Sequence, residues 1–258
     1  MKSNYYDLSL VTTTDFQRRK AVFNLPDTCS PFLEDCAKHI EKLSMHAAKR
    51  ALADDVIRIM DYIVDQRCRN NTTIITFSSV AFNDHAIRFL LSLVSVFARR
   101  ESDRILVVDA NIKSNGFTSQ LGRAGTGQGL IDVLSRKSDF SAAMRRRCDS
   151  IVSVMPRGRK LRASDKLITD ENVDSFLNQC KKAFKNIFIL APPATQFKDA
   201  APWARNSDGL FLVADVRNTL QVQTLKRRYA ERRINLLGAI RKKRASSIPF
   251  CGWEAFVQ

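Results

Sequence analysis

Thr72-Thr73-Ile74-Ile75-Thr76-Phe77-Ser78-Ser79-Val80-Ala81-Phe82-Asn83-Asp84-His85-Ala86-Ile87 is the stretch that decides the fold. Its first six residues are β-branched or apolar and carry no charge, which is the pattern of a strand buried on both faces. Ser78 to Asp84 reads as a loop. From His85 to Arg99 the apolar residues Ile87, Leu90, Leu91, Val94 and Phe97 return at helical spacing. Strand, loop and helix in that order make the first part of a βαβ unit.

Downstream the alternation repeats. Ile105–Val108 reads as a second strand, ending in Asp109, and Gly129–Leu134 opens a helix. Ile151–Met155 is a third strand, followed by a helix over Asp170–Phe184. Ile187–Leu190, Leu210–Val213 and Leu236–Ile240 supply three more strands. Short apolar runs separated by helices predict an α/β fold, a parallel sheet flanked by helices. In such sheets ligands bind beyond the carboxyl ends of the strands. Here those are the loops after Phe77, Asp109 and Leu190. Upstream, Ser30-Pro31 with Glu34 reads as a helix start. Leu33, Ile40, Leu43, Leu52, Ile57, Ile59, Met60 and Ile63 then recur at roughly helical spacing. The expected organisation is a flexible arm over 1–30, a helical extension over 31–70, the α/β domain over 71–245 and a tail over 246–258.

Composition narrows the function classes. The chain has 258 residues, 45% hydrophobic and 26% charged, which are ordinary globular values that exclude wholesale disorder. The longest apolar run, Phe89 to Ala98, falls well short of the ~20 residues of a bilayer span. The N-terminus lacks the apolar stretch of a signal sequence, and none of the six cysteines forms a CxxC pair. They read as reduced thiols of a cytosolic protein. With three His and scattered Cys, no metal site is expected.

Lys plus Arg is 42 against 26 Asp plus Glu, a net charge of +16, which favours an acidic partner. The charge is clustered in Arg145-Arg146-Arg147, Arg157-Gly158-Arg159-Lys160, Lys226-Arg227-Arg228, Arg232-Arg233 and Arg241-Lys242-Lys243-Arg244. An anionic membrane surface, an acidic segment of a partner protein and a nucleic-acid backbone all fit. No nucleic-acid-reading motif is present, which favours the first two. Trp203 and Trp253 are either interface anchors or core residues.

A loop that cradles phosphates needs glycines for close backbone approach, a Lys for phosphate charge and a Ser or Thr for Mg²⁺. The loop from Ser78 to Asp84 has no Gly and no Lys. His85 stands where the Lys belongs, and Ala86 stands where the hydroxyl belongs.

Five fragments, in order, carry a resemblance. Thr76-Phe77-Ser78-Ser79 is followed by Val107-Val108-Asp109-Ala110-Asn111-Ile112-Lys113 and by Gly129-Leu130-Ile131-Asp132-Val133-Leu134. Phe188-Ile189-Leu190-Ala191-Pro192-Pro193 comes next, then Asp199-Ala200 with Ser207-Asp208-Gly209-Leu210-Phe211-Leu212-Val213. Their order and spacing resemble the bacterial tyrosine kinases of polysaccharide synthesis, relatives of the MinD/ParA-type ATPases. The resemblance covers roughly residues 72–240.

The departures from that pattern fall on the chemistry. Phe82 and Asp84 replace loop glycines, His85 the Walker Lys and Ala86 the Mg²⁺-binding Thr. Asp109 remains as the first acid of the second motif, Asn111 replaces its second acid, and Leu190 replaces the Walker B acid. The segment Glu34–Ile40 lacks the arginines of the family's ring-forming helix, and the tail from Ser246 lacks its tyrosine cluster. Phosphoryl transfer rests on positioning and electrostatic stabilisation, and these losses remove both.

The resemblance therefore implies a degenerate nucleotide site, marked by Ser78, Ser79, Phe82, Asp84, His85, Ala86, Asp109, Asn111 and Leu190. It implies no catalytic residue, no metal and no cofactor, neither ATP nor Mg²⁺. The implied role is regulatory or scaffolding, in exopolysaccharide or capsule synthesis and export. The protein would be cytoplasmic, at the inner face of the membrane, bound to a membrane polysaccharide co-polymerase or export protein. Arg145, Arg146, Arg147, Arg227, Arg228, Arg232, Arg233, Lys242 and Lys243 are the candidate partner or membrane surface. Asp199 and Asp208 match family positions near the strand-end face. Two alternatives stay open. One is an active kinase with an atypical site, with Tyr229, Tyr5 or Tyr6 as phosphoacceptor. The other is a ParA-like DNA-binding protein.

Overall fold

The computed structural model describes residues 59–65, 72–81, 85–100, 102–112, 117–118, 127–146, 151–159, 167–242 and 253–257. The expected N-terminal arm lies outside these residues, and of the helical extension only 59–65 is described. That segment is helical, with Ile59, Met60 and Ile63 buried as the spacing requires.

In chain order the elements are β1 (Thr73–Ser79), α1 (His85–Arg100), β2 (Ile105–Asp109), α2 (Leu130–Leu134), α3 (Phe140–Ala143) and β3 (Arg145–Arg146). There follow β4 (Val152–Met155), α4 (Asp170–Lys181), β5 (Asn186–Leu190), α5 (Phe197–Arg205), β6 (Gly209–Asp215), α6 (Thr219–Glu231), β7 (Leu236–Lys242) and β8 (Trp253–Val257). They build one sheet of order β3-β4-β2-β5-β1-β6-β7-β8. The six strands read from the sequence are its central, mutually parallel members. Both edge strands are antiparallel: two-residue β3 on β4, and β8 on β7. β8 falls in the segment read from sequence as tail.

Alternation along each strand divides the core. Ile75 and Phe77 of β1, Val107 of β2, Phe188 and Leu190 of β5, and Phe211 and Val213 of β6 face α1 and helix 59–65. Phe77 stacks on Phe211 with ring centroids 5.7 Å apart, and Phe97 meets Phe188 edge-on at 5.5 Å. On the opposite face Ile74, Leu106, Val108, Ile187 and Ile189 pack against α2 and α4. Leu210, Leu212 and Ala214 pack against α5 and α6. Trp203 is fully buried and meets Phe176 edge-on at 6.1 Å, so it is a core residue and not an interface anchor.

Two helices carry a weak or conflicting local signal. α5 contains Pro202. α6 buries only Val222, Leu225 and Tyr229 among mostly polar and basic neighbours. Burial against the sheet overrides the proline of α5 and the weak patterning of α6. β1 also runs two residues further than its apolar run, because Ser78 and Ser79 pair with Leu212 and Val213 of β6. Among the described residues no helix is long and apolar enough to cross a membrane.

Candidate functional site

The parallel strands place the ends of β1, β2 and β5 side by side at one edge of the sheet. Phe77 is in register with Leu190, and Leu190 with Asp109. This is the crevice where an α/β sheet binds its ligand. Phe82, Asn83 and Asp84 lie outside the described residues, as do the side chain of His85 and all of Lys113.

Asp109 is fully buried. Its Oδ1 accepts the Asn111 N–H at 3.2 Å, a local turn closed by the side chain. Its Oδ2 accepts the Thr118 N–H at 2.8 Å and also the Thr118 hydroxyl. Thr118 Oγ1 in turn accepts the Arg157 N–H at 2.9 Å, which ties the loop after β2 to the loop after β4. Burial pushes the Asp109 carboxyl up to about 6, while the Thr118 and Asn111 hydrogen bonds and the Arg157 charge pull it down. Both carboxylate oxygens are thus held by the protein's own donors.

Leu190 is 2% exposed and packs into the α1 face of the core. Its carbonyl accepts the Ala110 N–H at 2.9 Å. Ala86 is buried. Ser78 turns its hydroxyl to the Pro192 carbonyl at 2.5 Å, and the Ala194 N–H donates to the Ser79 carbonyl at 2.8 Å. The β1 and β5 exits are therefore stitched to each other. Asn111 is half-buried, and its Oδ1 has no hydrogen-bond partner among the described residues.

A second junction backs the crevice. The Gly129 N–H donates to Asp132 Oδ2 at 3.0 Å, closing the start of α2, and Arg159 Nε lies 3.3 Å from Asp132 Oδ1. The Leu130 and Ile131 N–H groups donate to the carbonyls of Pro156 and Arg157 at 2.8 and 3.0 Å. Gly129 and Gly158 meet backbone to backbone. A Cβ on Gly129 would overlap the Gly158 N–H and the Pro156 carbonyl. Gly158 has φ +83°, and a Cβ there would come 2.5 Å from Asp132 Oδ2.

Several residues singled out from sequence lie elsewhere. Asp208 sits at the amino end of β6, away from the crevice. Its Oδ2 accepts the Ile74 N–H at 2.7 Å, and its own N–H donates to the Ile74 carbonyl at 2.9 Å, so its role is structural. Asp199 lies in the first turn of α5, just beyond β5. Arg145 is turned inward: its guanidinium donates to the Ala142 and Ala143 carbonyls at 3.2 Å and to the Gln128 carbonyl at 3.0 Å. Arg227, Arg228, Arg232 and Arg233 are exposed on and just after α6. The side chains of Arg146, Arg147, Lys242, Lys243 and Trp253 lie outside the described residues. Tyr229 is fully buried, with its hydroxyl donating to the Ala194 carbonyl at 3.4 Å, and burial raises its pKa. It is not a surface phosphoacceptor; Tyr5 and Tyr6, the others named for the active-kinase alternative, lie outside the described residues. The functional residues that sequence reasoning missed are Thr118, with no local signal at all, and Gly158, visible only as the glycine inside a basic run.

The architecture is that of the P-loop ATPases of the MinD/ParA type. The structure superimposes on the kinase domain of the Escherichia coli tyrosine kinase ETK with a TM-score of 0.68 and 16% identity, covering 91% of this chain and 90% of that one. It superimposes on the VpsO kinase domain with a TM-score of 0.63 and 14% identity, covering 81% of this chain and 97% of that one. The septum site-determining protein MinD of Pyrococcus horikoshii, solved with Mg-ADP, gives 0.51 and 16%, covering 65% and 69%. No family model matches the sequence. No curated protein matches it either.

Proposed function

We propose that the protein is a non-catalytic relative of the tyrosine kinases of polysaccharide synthesis, a scaffold or regulator. It would act in exopolysaccharide or capsule synthesis and export, at the inner face of the cytoplasmic membrane, bound to a polysaccharide co-polymerase or export protein. The observation that carries this reading is the state of Asp109. It is the one acid left at the three acid positions of the nucleotide-site motifs, and protein donors occupy both of its oxygens. Leu190 and Ala86, at two other ligand positions, are buried and apolar. The residues present do not fit Mg²⁺–ATP. The kinase-domain neighbours support the placement within this group of proteins.

Calorimetric and thermal-shift titration with ATP, ADP and Mg²⁺ tests the reading. No stabilisation at millimolar nucleotide is the expected result. A Kd in the micromolar range, lost in Asp109→Asn, would sink it. Pull-down of a membrane partner from the encoding cell's inner membrane then tests the scaffold role directly.

A further inference from the structure

We propose that the C-terminal half of α6, together with Phe197 of α5, is a docking surface for an acidic segment of a partner protein. This deepens the partner-binding role proposed above and rests on it.

Lys226 to Arg233 holds five cations and one acid, Glu231. Arg227, Arg228, Arg232 and Arg233 are exposed, and none has an acidic partner among the described residues. Two of them are pre-positioned. The Arg228 guanidinium carbon lies 4.4 Å from the centroid of the Phe197 ring, and that of Arg232 lies 6.0 Å away. Tyr229 backs the same ring at 4.9 Å. Stacking covers one face of the guanidinium and leaves its N–H edge for a ligand, so less side-chain freedom is lost on binding.

Arg233 extends the cluster past the helix end. Its φ is +55°, the left-handed position that follows a helix. The Ile234 N–H donates to the Tyr229 carbonyl at 3.0 Å and the Arg233 N–H to the Ala230 carbonyl at 2.9 Å, closing a Schellman turn. Glycine suits that position best. An arginine is held there against backbone preference, beside three more at the negative end of a helix dipole.

The surface chemistry favours carboxylates on a peptide over the other anions. All four of these side chains are arginines, whose planar fork matches carboxylates two bonds at a time. A lipid surface would also take an apolar side chain. The one large exposed apolar residue among those described, Leu220 at 78%, stands at the far end of α6. Twelve residues of helix put it about 18 Å from Arg232. Single-stranded nucleic acid would take an open aromatic face, and Phe197 is only 8% exposed beneath its arginines.

Fluorescence anisotropy of the full chain with a labelled Asp/Glu-rich peptide tests the proposal, with phosphatidylglycerol vesicles and a DNA duplex as parallel probes. The peptide should bind, and added salt should weaken it. The double variant R228K/R232K keeps the charge and loses the stacked forks, and should bind the peptide about 10-fold more weakly. Glu231→Gln, an exposed change that removes the one acid, should tighten it roughly 2-fold. Melting curves confirm that each variant is folded. The proposal is overturned if the peptide fails to bind, if vesicles or DNA bind more tightly than the peptide, or if R228K/R232K binds unchanged. Nucleotide titration of the same sample separates the two readings. Bound ATP would sink the non-catalytic assignment alone, and a peptide that does not bind would sink the docking surface alone.

Discussion

Replacing Asp109 by Asn distinguishes a buried structural carboxyl from a working acid. The folded protein raises this carboxyl from 3.8 to about 6. At 1.36 kcal/mol per unit, keeping it ionised costs the native state about 3 kcal/mol above that pH. The sign follows from proton binding. Between the two values the native state holds the proton and the unfolded chain does not. Stability from this group is therefore full below 3.8 and is lost as the pH rises through about 6. Asn removes the charge. It keeps an acceptor for the Thr118 N–H and hydroxyl, but turns its NH₂ toward the Asn111 N–H. That lost hydrogen bond costs roughly 1 kcal/mol. The variant should therefore be about 2 kcal/mol more stable than wild type at pH 7–8 and about 1 kcal/mol less stable near pH 3.5, with a crossover around pH 4.5. Urea denaturation of both proteins across this range, taken as a difference curve, cancels the other titrating groups. A flat difference curve would refute the reasoning. So would a variant destabilised at pH 7, since the ionised carboxylate would then be making a favourable interaction.

Three further changes test the frame around the site. Leu190→Asp supplies the acid of the kinase pattern but puts an unpaired carboxylate into the packed α1 face; it should cost more than about 4 kcal/mol by denaturant titration. A stable Leu190→Asp protein that gains Mg²⁺-dependent nucleotide binding would show that the crevice is still open. Gly129→Ala forces backbone against backbone at Gly158 and Pro156 and should cost about 3 kcal/mol in the same assay. A loss under roughly 1 kcal/mol would mean that the two loops separate easily. Arg233→Gly and Arg136→Gly, at φ +55° and +57°, relieve left-handed backbone. Each should gain about 0.5–1 kcal/mol, a rise of roughly 1–3 °C in Tm; a fall at Arg233 would show that its side chain holds the helix end.

The sheet was legible in the sequence because each of its six parallel strands is built on a short apolar or β-branched run. Helix α1 was legible by its helical spacing, with Ile87, Leu90, Leu91, Val94 and Phe97 all buried. The edges were not. β3 is two residues of a basic run, and β8 is five residues, Trp253-Glu254-Ala255-Phe256-Val257, that neither alternate nor form an unbroken apolar run, so neither has a pattern of its own. α6 hid behind its charge, because three buried residues suffice to hold it against β6 and β7. At the site, the positions of Asp109 and Leu190 could be read from strand ends, but the partner of Asp109 could not. Thr118 is nine residues away and is chosen by how the chain returns over β2, a property of the folded loop and not of local composition.

The motif residues fall into two groups. Those that match the family pattern are bonded to this chain itself. Asp109 holds Thr118, and Ser78 bonds the Pro192 carbonyl. Asp132 closes α2 and pairs with Arg159. Asp208 fastens the start of β6 to β1. On the proposed reading, those that depart from it stand where the kinase pattern serves a ligand: the loop glycines, the Lys at His85, the hydroxyl at Ala86 and the acid at Leu190. A chain losing its fold would shed both groups alike, because a broken clamp among strand-end loops costs as much stability as any other lost buried hydrogen bond. On the proposed reading, the fold is kept for its surface, and the work has moved from the crevice to the outside of the helices. The arginines at the end of α6, without an acidic partner among the described residues, are the part of that outside whose side chains are held ready for a partner.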